Sequence, residues 1–228
     1  MQDKKQGQPE FRGGHVTALS VQKASPDRLN LFVDDQFLMG LRREVVLQHR
    51  VKKGQEVTVE LLQAMWRDEM LYKAKDLAVN YLSYRHRSQK EMHDYLSGKE
   101  LFDAELVRQT LEWLVEYKYL DDDQFARQWV ESRMRSRPRG KMMLRWELKQ
   151  KGVSSDQIAE AIEEICDDDL EVEGALRLLQ KKRGRNTAEI SFEERRKLAQ
   201  YLARRGFTTT VIKEALKRFI SLANLDND

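Results

Sequence analysis

One helical pattern recurs three times along this 228-residue chain, and it limits the fold more than any other feature. In the middle copy Ala126, Trp129, Val130 and Arg133 fall at i, i+3, i+4 and i+7, an apolar stripe that ends in a cation. The first copy has Ala78, Tyr81, Leu82 and Arg85 at the same spacing, and the third has Ala175, Leu178, Leu179 and Lys182. A second helix follows in each copy, with Met92 and Leu96, then Leu144 and Leu148, then Leu198 and Leu202. A third helix carries Val107, Thr110, Leu111 and Leu114, then Ile158, Ala161, Ile162 and Ile165, then Ile212, Ala215, Leu216 and Phe219. A unit this small cannot bury its apolar faces alone, so tandem copies imply stacked repeats.

The helix ends agree with that register. Ser88 with Glu91, Ser154 with Gln157, and Ser191 with Glu194 have capping-box spacing, while Asp103 and Asp121 suit the N-cap of other helices. Gly152 and Gly206 sit where a left-handed residue closes a helix. The expected fold is mostly α: three tandem three-helix repeats in an elongated, curved array, preceded by a small antiparallel β element. The expected divisions are a flexible tail over 1–15, a β-containing region over 16–56, and repeats over 57–119 (with a lead-in helix), 120–168 and 169–228.

The β element is read from alternation. Val16 to Val21 and Leu29 to Val33 alternate apolar and polar, with Ser25-Pro26-Asp27 as the turn signal between them. Asp34-Asp35 then leads into Phe37 to Leu41, giving two or three strands. Glu44 to His49 suits a short helix and Lys53-Gly54 a turn.

Several functional classes are disfavoured. No apolar run could span a membrane, and the polar start Met1-Gln2-Asp3-Lys4-Lys5 is no secretory signal. A single cysteine, Cys166, cannot form a disulfide within the chain, which suits a reducing cytoplasm and reads as an inert thiol. His15, His49, His86 and His93 form no metal pattern with it, and no Gly-rich phosphate loop is present. Asp121-Asp122-Asp123 stands at a helix start, where acids complement the helix dipole. The expectation is a monomeric, non-enzymatic protein without cofactor or metal.

Charge is segregated although the net formal charge is only +3. Residues 127–151 are basic except for Glu131 and Glu147; residues 156–173 carry acids and no Lys or Arg; residues 177–205 are basic again. Crowded cations repel one another, so Arg133, Arg135, Arg137, Arg139, Lys141, Arg145 and Lys149 suit docking to phosphates or carboxylates better than folding. Lys181, Lys182, Arg183 and Arg185, with Arg204 and Arg205, extend the candidate surface. Trp129 and Trp146 lie near apolar stripes and are expected in the core, not as base-stacking platforms.

The stretch from Tyr119-Leu120-Asp121-Asp122 through Phe125-Ala126 to Trp129 and Arg133 resembles the signature of the RecX family. Gly140, Leu144, Glu147-Leu148 and Lys151-Gly152-Val153 continue the likeness, and Arg28 to Asp34 with Lys53-Gly54 resemble its lead-in. The likeness runs over residues 16–222, departing at Arg137-Pro138-Arg139-Gly140 and at a longer insertion over Gly184 to Ile190. It implies a regulator of the recombinase RecA in DNA repair, homologous recombination and the SOS response. Such a protein lodges in the groove of the RecA filament on single-stranded DNA and suppresses its ATPase, strand-exchange and co-protease activities. The residues alone leave open a helical DNA-binding module acting without RecA, or a structural adaptor.

Overall fold

The computed structural model describes residues 8–184 and 190–225, with side chains to residue 222. Residues 1–7 of the expected tail and 185–189 of the insertion, including Arg185, lie outside the described residues. Two compact units are present: Met1–Arg85 with Met92–Tyr119, and His86–Glu91 with Leu120–Asp228.

The first unit begins with β1 (Gly14–Gln22), β2 (Ser25–Val33) and β3 (Gln36–Arg42), then α1 (Arg43–Gln48) and a two-residue strand, β4 (Glu56–Val57). The sheet is antiparallel with order β3-β2-β1-β4. Asp34 and Asp35 both have positive φ, as a tight hairpin between β2 and β3 requires. Three expectations are corrected. The sheet has a fourth strand, too short to show alternation. The first hairpin turns at Lys23-Ala24, since Gln22 pairs with Ser25, so Pro26 lies in the strand. Regular structure starts inside the expected tail: Gly14 and His15 pair with β4, and Phe11 meets Trp66 edge-on at 6.4 Å.

Among the described residues nine helices follow α1 in three sets: α2 (Val59–Tyr84), α3 (Gln89–Ser97) and α4 (Ala104–Glu116); α5 (Asp122–Ser136), α6 (Lys141–Gln150) and α7 (Ser155–Ile165); α8 (Asp168–Arg183), α9 (Phe192–Ala203) and α10 (Thr209–Leu225). The lead-in and the first helix of repeat one are the single helix α2. In each set the first helix packs on the third. The alanines of the three stripes, Ala78, Ala126 and Ala175, are fully buried, because only a small side chain lets two helix backbones approach there. Asp103, Asp121, Ser154 and Ser191 cap their helices as spaced, and Ser154 with Gln157 forms a complete capping box. Gly152 and Gly206 have φ near +83° and +84°.

Candidate binding surface on the second and third repeats

The loop after α5 and the last turns of α8 and α9 converge on one cleft of about 540 Å³ within the second unit. Arg135, Arg137 and Arg139 enter it from the loop, Lys181 and Lys182 from α8, and Arg205 from the end of α9. Pro138, itself buried, anchors the loop: its Cβ lies 3.0 Å from where a side chain on Gly174 would begin, so a side chain there would push the loop away from α8. The cleft holds two further aids. Arg177, one turn before Lys181, donates to the Met134 carbonyl at 2.8 Å, tying α8 to the end of α5. Tyr201 presents its ring to the Arg205 guanidinium at 4.3 Å and to the Lys182 ammonium at 4.6 Å, which steadies two cations without neutralising them. Arg177 was findable from its i, i+4 relation to Lys181; Tyr201 gave no signal, because its role depends on how α8 and α9 pack within the third repeat.

The cations divide by what holds them. Arg135 and Arg137 are exposed, as are Lys181 and Lys182. The Nε atoms of Arg139 and Arg205 are buried without a hydrogen-bond partner among the described residues. Arg139 lies 3.5 Å from Glu147, close enough for attraction but not aligned for a bond. An anion entering the cleft would meet the terminal N–H groups of these guanidiniums, not the buried Nε.

Other predicted cations are already occupied. Glu147 accepts from Arg133 Nε at 2.8 Å and from Trp129 Nε1 at 2.9 Å, and the Arg133 guanidinium lies 4.3 Å from the Trp129 ring centre. The Lys141 ammonium is 2.7 Å from Asp168; burial works against its charge, but Asp168 and Glu171 leave it above the ordinary lysine range. Arg183, almost wholly buried along its side chain, pairs with Glu194 at 3.2 Å. Arg133 and Arg183 therefore brace helices within their own repeats, and Lys141 ties the second repeat to the third. Arg204 is exposed outside the cleft, and Arg145 and Lys149 form a separate exposed group on α6.

Trp129 is half-buried as expected, but Trp146 is not in the core: it is 59% exposed. α6 buries Leu144 and Leu148, which turns Trp146 toward solvent. Cys166 is 1% exposed at the end of α7, and burial pushes its thiol up to about 11. Among the described residues no group of three or more His, Cys, Asp or Glu is arranged to hold a metal ion, and no helix is long and apolar enough to cross a membrane.

The sequence carries four matches in register with these elements: the RecX N-terminal domain over residues 14–58, and the first, second and third RecX three-helix domains over 74–114, 121–162 and 169–216. The regulatory protein RecX of Bacillus pumilus is 35% identical over 207 residues, 89% of this chain and 76% of that protein. The chain belongs to the RecX family. The RecX of Clostridioides difficile is 32% identical over 213 residues, 93% of this chain and 99% of that one. A crystal structure of a regulatory protein RecX shares the fold with a TM-score of 0.72 at 24% identity, over 89% of this chain and 98% of that chain. The RecX structure from Lactobacillus salivarius has a TM-score of 0.57 at 23% identity, over 65% of this chain and 96% of that chain.

Proposed function

We propose that this protein regulates RecA by binding, without catalysis of its own, and that it suppresses the recombinase, ATPase and co-protease activities of the RecA filament on single-stranded DNA. In that role it acts in DNA repair and the SOS response, as a cytoplasmic monomer. The observation that carries this reading is the cleft where two repeats bring Arg135, Arg137, Arg139, Lys181, Lys182 and Arg205 together. Four of these cations are exposed, and the other two, Arg139 and Arg205, are half-buried in the wall of the cleft. Such a surface fits a nucleoprotein groove that offers phosphates and carboxylates, where arginine makes paired contacts. Membership of a family of regulatory proteins supports binding as the activity.

The test is RecA ATP hydrolysis on single-stranded DNA, titrated with this protein at two salt concentrations. Suppression below one protein per RecA protomer is expected, weakened by the double variant Arg135→Ala, Arg137→Ala. No effect on RecA, with tight binding to naked DNA, would replace this reading with a helical DNA-binding module acting without RecA.

A further inference from the structure

α6 carries a second surface that the basic cleft does not include. Met142, Arg145, Trp146 and Lys149 fall at i, i+3, i+4 and i+7, so they share one face. All four are exposed, Met142 at 62% and Trp146 at 59%. The acid of this helix, Glu147, is turned away and held by Trp129 and Arg133. Arg145, Trp146 and Lys149 line a shallow groove of about 280 Å³ whose floor includes Ile158 of α7.

The other three tryptophans are engaged. Trp66 is 9% exposed; Trp113 stacks with Tyr119 at 5.3 Å between ring centres; Trp129 lies under Arg133. Among the described residues, no ring or cation covers Trp146. Folding gives no reason to hold an indole in water beside the exposed cations Arg145 and Lys149.

We infer that Trp146 is a stacking platform for one base of a single-stranded nucleic acid, with Arg145 and Lys149 taking the flanking phosphates. An indole face matches a base face, and such stacking tolerates any base. A protein partner fits less well. A stable protein interface covers roughly 800 Å² on each side around an apolar centre, and here the apolar surface is one indole and one thioether amid cations. A duplex fits less well because its base faces are already stacked. This inference rests on the reading that the protein works at single-stranded DNA, and it adds a direct contact that does not pass through RecA.

The experiment measures anisotropy of end-labelled oligo(dT), of an oligomer of equal length lacking bases, and of a duplex, with the full chain and no RecA. Trp146→Ala is expected to weaken oligo(dT) binding about tenfold, in the range of one lost base–aromatic stack. It leaves the baseless oligomer and the duplex unaffected, and Trp146→Phe keeps most of the affinity. Arg145→Ala with Lys149→Ala weakens all three ligands and lowers the salt dependence. Unchanged melting of Trp146→Ala shows that the fold is intact. The inference is overturned if Trp146→Ala weakens oligo(dT) and the baseless oligomer equally, if it changes neither, or if it spares oligo(dT) binding while abolishing the effect on RecA ATPase, which would make the indole a protein-docking residue. Stacking of oligo(dT) without any effect on RecA would leave the inference standing and remove the proposed function instead.

Discussion

The Glu171 carboxylate accepts the backbone N–H of Lys141 at 3.0 Å, so the first helix of the third repeat satisfies the start of the second helix of the second repeat. The same relationship occurs one repeat earlier. Asp122 at the start of α5 accepts the N–H of Gln89 at 2.9 Å, within the second unit. The far ends of the second helices repeat the device. The Ser88 hydroxyl donates to the Lys151 carbonyl at 2.7 Å, and the Gly140 N–H donates to the Arg205 carbonyl at 3.0 Å. Each next repeat thus supplies a buried carboxylate and a helix-end carbonyl to the second helix before it, pairing groups that a helix leaves unsatisfied.

Glu171→Ala should destabilise the protein by roughly 1–3 kcal/mol, the cost of a buried N–H without an acceptor. Glu171→Gln keeps an acceptor and should cost little. Urea unfolding of the two variants separates these outcomes, and equal loss in both would show that the charge, not the hydrogen bond, matters.

The same pair predicts a pH dependence. Burial raises the Glu171 carboxyl above its ordinary value of 4.5, against the N–H and the ammonium of Lys141. Folding therefore favours the protonated acid. Its contribution is fully present below 4.5 and is lost as pH rises through the higher folded value. Glu171→Gln mimics the neutral form and should remove this term. The stability of the wild type relative to Glu171→Gln should fall as pH is raised from 4.5, and a difference constant with pH would contradict the assignment.

Gly140→Ala should be among the most damaging single-methyl additions. A Cβ at Gly140 would lie 2.1 Å from the carbonyl oxygen of Gly206 and 2.3 Å from the nitrogen of Phe207. Neither is a flexible side chain, so the backbones must separate, at about 1–3 kcal/mol or more. Gly54→Ala is the control for glycine loss alone: its φ is +85° but nothing lies within 4 Å. Thermal melting should show the larger drop for Gly140→Ala.

What the sequence reveals follows the range of the interactions. Stripes, caps and closing glycines act within a few residues, so Ala126, Ser154 and Gly152 could be placed from spacing alone. β4 was hidden because Glu56 and Val57 become a strand only through pairing with Gly14 and His15. The basic run could be seen, but not its division. Arg133 and Lys141 are occupied by Glu147 and Asp168, 14 and 27 residues away, while Arg135 and Arg137 stay exposed. Trp146 was misplaced for a related reason. It sits four residues after Met142, which mimics a core stripe, yet Leu144 and Leu148 are the pair that α6 buries.

That division predicts separable phenotypes among neighbouring arginines. Arg137→Ala, at an exposed cleft residue, should leave melting unchanged while weakening polyanion binding. If it contacts a phosphate, the salt slope should fall by roughly 0.7 per contact on a single strand. Arg133→Ala removes the guanidinium from the Trp129 ring and frees part of the Glu147 carboxylate. It should lower stability by about 1–2 kcal/mol, as for a lost charge-assisted bond and ring contact, and alter the salt slope less. Melting curves and salt titrations on the two proteins test this directly. A reversed pattern, with Arg137→Ala unstable and Arg133→Ala binding-defective, would mean that the cleft is a structural seam and that the docking surface lies elsewhere.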